Sequence, residues 1–173
     1  GDIRATPRLA TIPDEVGHVD YVLVCCKTYD LEKLAPTLLP LCRPASDDGA
    51  IDATAVIPLL NGLDAPAKLA DALGAPYVMG GLCLLVSYIE EPGVIRYVSG
   101  SKENAITFGE MPQIGGSLPT ESARARWLKE AFLEVGVGAL VPADETGGVW
   151  NEMLVKFNRI VPFSTITAVC RSG

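Results

Sequence analysis

Two short apolar blocks, each followed at once by a helical pattern, most restrict what this chain can become. Asp20-Tyr-Val-Leu-Val-Cys-Cys26 is an unbroken run rich in β-branched residues, and Leu31, Leu34, Leu38 and Leu41 follow it at three- and four-residue steps. A run without polar alternation predicts a strand covered on both faces in a parallel sheet. Asp30 stands where a helix cap belongs, and Pro36 should kink that helix or delay its start. The alternation then repeats. Ala53-Thr-Ala-Val-Ile57 predicts a second buried strand and Asn61-Gly62 a turn at its end. A helix follows, with Asp64 as its cap, Pro66 in its first turn, Leu69, Ala70 and Leu73 facing inward, and Gly74 at its C-terminal end. Strand and helix in alternation specify an α/β fold, because parallel neighbours need a crossover between them.

The rest of the chain extends that sheet. Tyr77 to Tyr88, Val94 to Val98 and Ala105 to Phe108 predict further strands, with Glu91-Pro92-Gly93 and Ser99-Gly100-Ser101 as turns, so the sheet should be mixed. Residues 3 to 12, which include Pro7, suit an edge strand or an extended connection. Met111 to Thr120 reads as a loop. From Thr120, as N-cap, Ala123, Trp127, Leu128, Ala131, Phe132 and Val135 trace one helical face, and Val137 to Val141 should close the sheet. A last helix opens between Asp144 and Gly148, carries Trp150, Met153, Leu154, Phe157, Ile160 and Val161 as its apolar stripe, and should bend at Pro162. The one boundary this suggests lies near Asp144, dividing a sheet domain at 1–143 from the start of a helical region at 144–173. Because the chain starts at Gly1 without Met and stops inside a helical pattern, it is expected to be an interior piece of something longer.

Composition narrows the partners. Hydrophobic residues make up 49% and charged residues 20%, which excludes disorder as the main state. Fourteen Lys and Arg against twenty-one Asp and Glu give a formal charge of −7 with no basic cluster, which disfavours nucleic acid and anionic membrane. The five cysteines have neither metal-site spacing nor scaffold density, so a reducing, cytoplasmic setting is expected. Ala75 to Ile89, the longest nearly uncharged stretch, is broken by Gly80-Gly81 and too short to span a membrane as a helix.

Open α/β sheets take ligands beyond the carboxyl ends of their parallel strands. Lys27, Thr28 and Tyr29 follow the first strand; Asn61 and Gly62 follow the second. Each has a plain alternative, a solvated cation for Lys27 and turn chemistry for Asn61, but two polar groups on one rim favour a site. Lys156 is the third candidate. At about 100° per residue it falls roughly 40° beyond the edge of the apolar stripe. There a lysine either snorkels, with its stem buried and its ammonium wet, or protonates a carbonyl oxygen from inside a cleft. His18, between Gly17 and Val19, supports no triad or metal cluster, and no metal is expected. Cys25 and Cys26 read as small inert hydrophobes, and Gly80-Gly81, with no following lysine and no GxGxxG, is no phosphate loop.

Taken in order, Asp20 to Lys27, Pro58-Leu-Leu-Asn-Gly62, Met79-Gly-Gly81, Glu91-Pro-Gly-Val-Ile95, Phe108-Gly109, and Trp150 to Gly173 with Lys156 and Thr167-Ala168 resemble the ketopantoate reductase (2-dehydropantoate 2-reductase) family. The resemblance implies the second half of a Rossmann-type NADP-binding domain, without its glycine-rich first unit, followed by the start of a helical C-terminal substrate and dimerisation domain. It implies NADPH as cofactor and a branched 2-keto acid as substrate. Lys27, with Cys26 beside it, would hold the cofactor's adenosine end, and Asn61 would sit near nicotinamide and substrate. Lys156 would be the general acid that protonates the C2 oxygen. Ile160 and Ser164 stand four and eight residues after that lysine, where members with pantothenate activity carry asparagines. Ser164 is thereby a substrate-binding candidate, and a relative acting on another small keto acid becomes an alternative. A nucleotide-binding or assembly module without catalysis is the other alternative. The partners implied are a small keto acid and, in a homo-oligomer, copies of the chain itself.

Overall fold

The computed structural model describes residues 8–44, 53–111, 114, 119 and 121–170. Strand β1 (Tyr21–Val24) and strand β2 (Ala55–Pro58) run parallel, with Tyr21 opposite Ala55 and Val24 opposite Pro58. Between them the leucine-rich segment forms only a one-turn helix, α1 (Leu31–Leu34), and continues as a 3₁₀ helix from Ala35 to Leu41. Pro36 and Pro40 explain this: neither has an N–H to donate, so an α-helical ladder cannot pass through them. Asp30 and Asp64 occupy cap positions without making a side-chain cap bond. Helix α2 (Ala65–Leu73) follows β2 and ends at Gly74, whose φ of +103° favours glycine.

Strand β3 (Met79–Cys83) lies on the other side of β2, joined to it by a parallel bridge between Val56 and Val78. Strand β6 (Ile106–Glu110) pairs antiparallel with β3, and β7 (Ala139–Leu140) pairs parallel with β6. The expected mixed sheet is thus present in the order β1, β2, β3, β6, β7. Helix α3 (Ala123–Glu134) and helix α4 (Gly148–Cys170) complete it. The cap of α3 is Ser122, not Thr120: its Oγ accepts the Ala125 N–H. Residues 3–7 of the expected N-terminal strand lie outside the described residues, and 8–12 form no strand.

All four residues of β2 are buried, and they alternate between two cores as the strand pleat requires. Val56 packs with Val24, Leu31, Leu38, Leu69 and Val78 on one side; Ala55 and Ile57 pack with Met79, Phe108, Ala125 and Leu128 on the other. Strand β1 is covered less fully than its composition suggests. It is the end strand of the described sheet, and Leu23 is 40% exposed.

The apolar run Tyr77 to Tyr88 is not one strand. The chain leaves the sheet at Leu84, whose N–H still donates to Ala105 O, and β4 (Leu85–Glu91) pairs only with β5 (Val94–Gly100) as an antiparallel hairpin exposed along its whole length. Hydropathy marked these residues as strand but could not say whether anything covers them. Among the described residues, no helix is long and apolar enough to cross a membrane.

Gly80 and Gly81 owe their presence to close packing. A Cβ on Gly81 would lie 2.6 Å from Ile57 Cγ2 and 2.8 Å from the Pro58 carbonyl oxygen of β2. On Gly80 it would meet Met111 Sδ at 2.7 Å and Val149 Cγ1 at 2.8 Å. Gly81→Ala is therefore expected to destabilise the fold by about 1–3 kcal/mol, the usual cost of overpacking. Urea unfolding should show a lower midpoint at an unchanged slope.

Candidate functional site

The carboxyl ends of β1 and β2 open into one cleft of ≈ 640 Å³. β1 delivers Cys25, Cys26 and Lys27 to it, and β2 delivers Leu59, Leu60 and Asn61. The two loops are tied to each other: Leu59 N–H donates to Val24 O at 2.9 Å, and Thr28 Oγ1 donates to the Asn61 carbonyl at 3.3 Å. Cys83 and Leu84 come from the end of β3, and α4 closes the far wall with Lys156, Arg159 and Ile160. Lys27, Asn61 and Lys156, separated by as many as 129 positions in the chain, thus line a single cavity.

The helical placement of Lys156 departs from the sequence expectation. The buried residues of α4 are Gly148, Val149, Met153 and Lys156, while Phe157 and Val161 of the anticipated stripe are exposed. The inward face is therefore rotated towards Lys156, because Val149 and Met153 pack with Leu82 and Met111 beside β3 and β6. Lys156 is only 8% exposed. Burial holds its pKa below the ordinary lysine value of 10.5; the Cys83 thiol opposes that shift, and the Arg159 guanidinium adds to it.

The cleft's electrostatics run against those of the whole chain. Lys27, Lys156 and Arg159 line it, and no Asp or Glu does, although the chain carries −7. Among its thiols, Cys25 is pushed up first by desolvation and then by the neighbouring Cys83 and Cys26, which favours the protonated, unreactive form. Cys83 Sγ donates to Leu59 O at 3.7 Å. Arg159 escaped the reading of the sequence. The available signal was its position three residues after Lys156, a neighbouring place on the helix surface.

A second, smaller cavity of ≈ 200 Å³ adjoins the first. It shares Leu60, Asn61, Lys156 and Ile160 with the cleft and adds Gly62, Leu82, Met153, Phe157 and Val161. Ser164 lies further along α4, exposed, and lines neither cavity. His18 is exposed and also lines neither.

A 2-dehydropantoate 2-reductase of Halobacterium salinarum is 33% identical over 156 residues, which cover 90% of this chain and 46% of that protein. An uncharacterized oxidoreductase, YkpB, of Bacillus subtilis is 28% identical over 154 residues, covering 89% of this chain and 45% of its own. The crystal structure of 2-dehydropantoate 2-reductase from Geobacter metallireducens superposes with a TM-score of 0.56 at 29% identity, covering 74% of this chain and 37% of that one. The chain thus spans less than half the length of these relatives. Residues 1–113 match the family described as Ketopantoate reductase PanE/ApbA, and by that match the chain belongs to the ketopantoate reductase family.

Proposed function

We propose that the protein reduces the carbonyl of a 2-keto acid with NADPH, and that Lys156 supplies the proton. The observation that carries this reading is a lysine almost wholly buried in the wall of a cleft otherwise free of acids, its pKa drawn below the lysine range by that burial. Such a group releases its proton more readily than a solvated lysine, and its cationic form also stabilises the alkoxide that develops on the substrate oxygen.

The residues present suit an anionic dinucleotide. Three cations and no carboxylate line the cleft, and Leu59, Leu60, Leu84 and Val86 offer apolar wall for a ring. Lys27 would hold a phosphate at the adenosine end, with Cys26 beside it. The chemistry expected of a bound nicotinamide is a hydride donated to the carbonyl carbon. The Asn61 amide would donate a hydrogen bond that orients the carbonyl. Arg159, one helical turn from Lys156, would meet the substrate carboxylate, and Lys156 Nζ would pass its proton to the oxygen as the carbonyl becomes an alcohol. Proton and hydride together balance the reduction, and solvent restores the ammonium.

NADPH oxidation by the protein with a panel of 2-keto acids tests the reading. Turnover that tracks one or more of these acids is expected; NADPH binding with no turnover of any acid would favour a nucleotide-binding module instead. Lys27→Gln should weaken NADPH binding about tenfold, the loss of one charge-assisted hydrogen bond, and weaken NADH binding much less. Fluorescence titration of both cofactors checks this, and an equal effect on the two would remove Lys27 from the 2′-phosphate.

A further inference from the structure

We infer that the small cavity beside Lys156 is a side-chain subsite, and that it selects 2-keto acids whose carbon-3 substituent is entirely hydrocarbon. The inference rests on the reductase reading, since it takes the reacting carbonyl to lie against Lys156. Both cavities meet at Leu60, Asn61, Lys156 and Ile160, so a substrate held there has its carbonyl in the larger cleft and its side chain facing the smaller one.

The chemistry of the smaller cavity is one-sided. Leu60, Leu82, Met153, Phe157, Ile160 and Val161 supply its side-chain wall. Its remaining polar side chains are Asn61 and Lys156, both already engaged at the carbonyl in the proposed mechanism. A hydroxyl entering this space would leave its water partners and find no free donor or acceptor among the lining side chains. The volume is also suited to a compact hydrocarbon group. An apolar cavity of roughly 150 Å³ accommodates benzene, so ≈ 200 Å³ takes a tert-butyl, isobutyl or phenyl group.

Two acids on one carbon skeleton provide the test: 3,3-dimethyl-2-oxobutanoate and its 4-hydroxy derivative, which differ by a single hydroxyl. The hydrocarbon acid is expected to have a kcat/KM about 10- to 100-fold higher, the range a hydrophobic pocket can enforce against an added hydroxyl. Ile160→Asn should narrow that ratio by supplying a partner for the hydroxyl. Saturation-transfer NMR on the methyl groups of the hydrocarbon acid, with wild type and Ile160→Asp, reads occupancy without turnover. Turnover that favours the hydroxy acid overturns the subsite and leaves the reductase reading intact. No turnover of these two or of any acid in the panel, with methyl saturation that Ile160→Asp abolishes, supports the cavity as the binding place of the hydrocarbon group and overturns the reductase reading. No turnover together with no saturation, or saturation indifferent to Ile160→Asp, overturns both.

Discussion

Lys156→Ala is expected to lower the rate of 2-keto acid reduction by about 100-fold or more while the protein stays folded, the loss typical of removing a positioned general acid. An unchanged rate would return Lys156 to the role of a lysine that merely packs its stem. The pH profile provides the second readout. A general acid acts only while protonated, so kcat should fall as pH rises through the Lys156 pKa, and burial places that fall below the ordinary lysine value of 10.5. The variant should lose this limb. Stability moves the other way. Because the folded-state pKa is lowered relative to the unfolded chain, the buried ammonium opposes folding wherever it stays protonated, and that penalty is relieved as pH rises from the folded pKa towards 10.5. Lys156→Met keeps the packing and removes the charge, so it should be as inactive as the alanine variant yet melt at a higher temperature. Such opposed effects are expected of a site that trades stability for activity.

Arg124→Ala should produce the largest loss of stability. Arg124 and Glu110 are 6% and 4% exposed and form a bidentate pair, Nε to Oε1 and an η nitrogen to Oε2, both at 2.7 Å. Ser122 Oγ donates to the same Oε1 at 2.7 Å while capping α3, and the Arg124 guanidinium also donates to Pro76 O at 2.9 Å. One ion pair thus joins β6, α3 and the turn before β3. Removing the arginine leaves a carboxylate buried with only Ser122 of these partners, which costs about 3–5 kcal/mol. At roughly 2–4 °C per kcal/mol for a chain of this size, Tm should drop by about 6–20 °C. The double variant Glu110→Leu, Arg124→Met removes both charges together and should recover much of the loss. If it melts no higher than Arg124→Ala, the cost lies in lost packing rather than in the stranded charge.

The same pair shows where sequence reading stops. Glu110 and Arg124 belong to no motif, and nothing in their spacing of 14 residues marks them as partners. By contrast, β2 was legible because every one of its side chains is apolar or small, the pattern a doubly covered strand must have. The β4–β5 hairpin was legible as strand but not as exposed, since hydropathy reports what a residue tolerates, not what lies against it. Of the site, Lys27 and Asn61 could be found because strand ends are predictable ligand positions. Arg159 was missed because its one signal, a place three residues after Lys156, points to the cleft only once the inward face of α4 is known.

The α/β alternation and the rim on which Lys27 and Asn61 stand were already written in the order of the residues. These follow from local sterics and from hydrophobic periodicity, which act over a few residues. Which way α4 faces, by contrast, depends on packing against elements far away in the chain. Its apolar residues occupy more than one face, and the packing of Val149 and Met153 beside β3 and β6 selected the face that carries Lys156. That rotation, a property of contacts distant in the chain, turned a lysine at the edge of a stripe into one buried in the cleft.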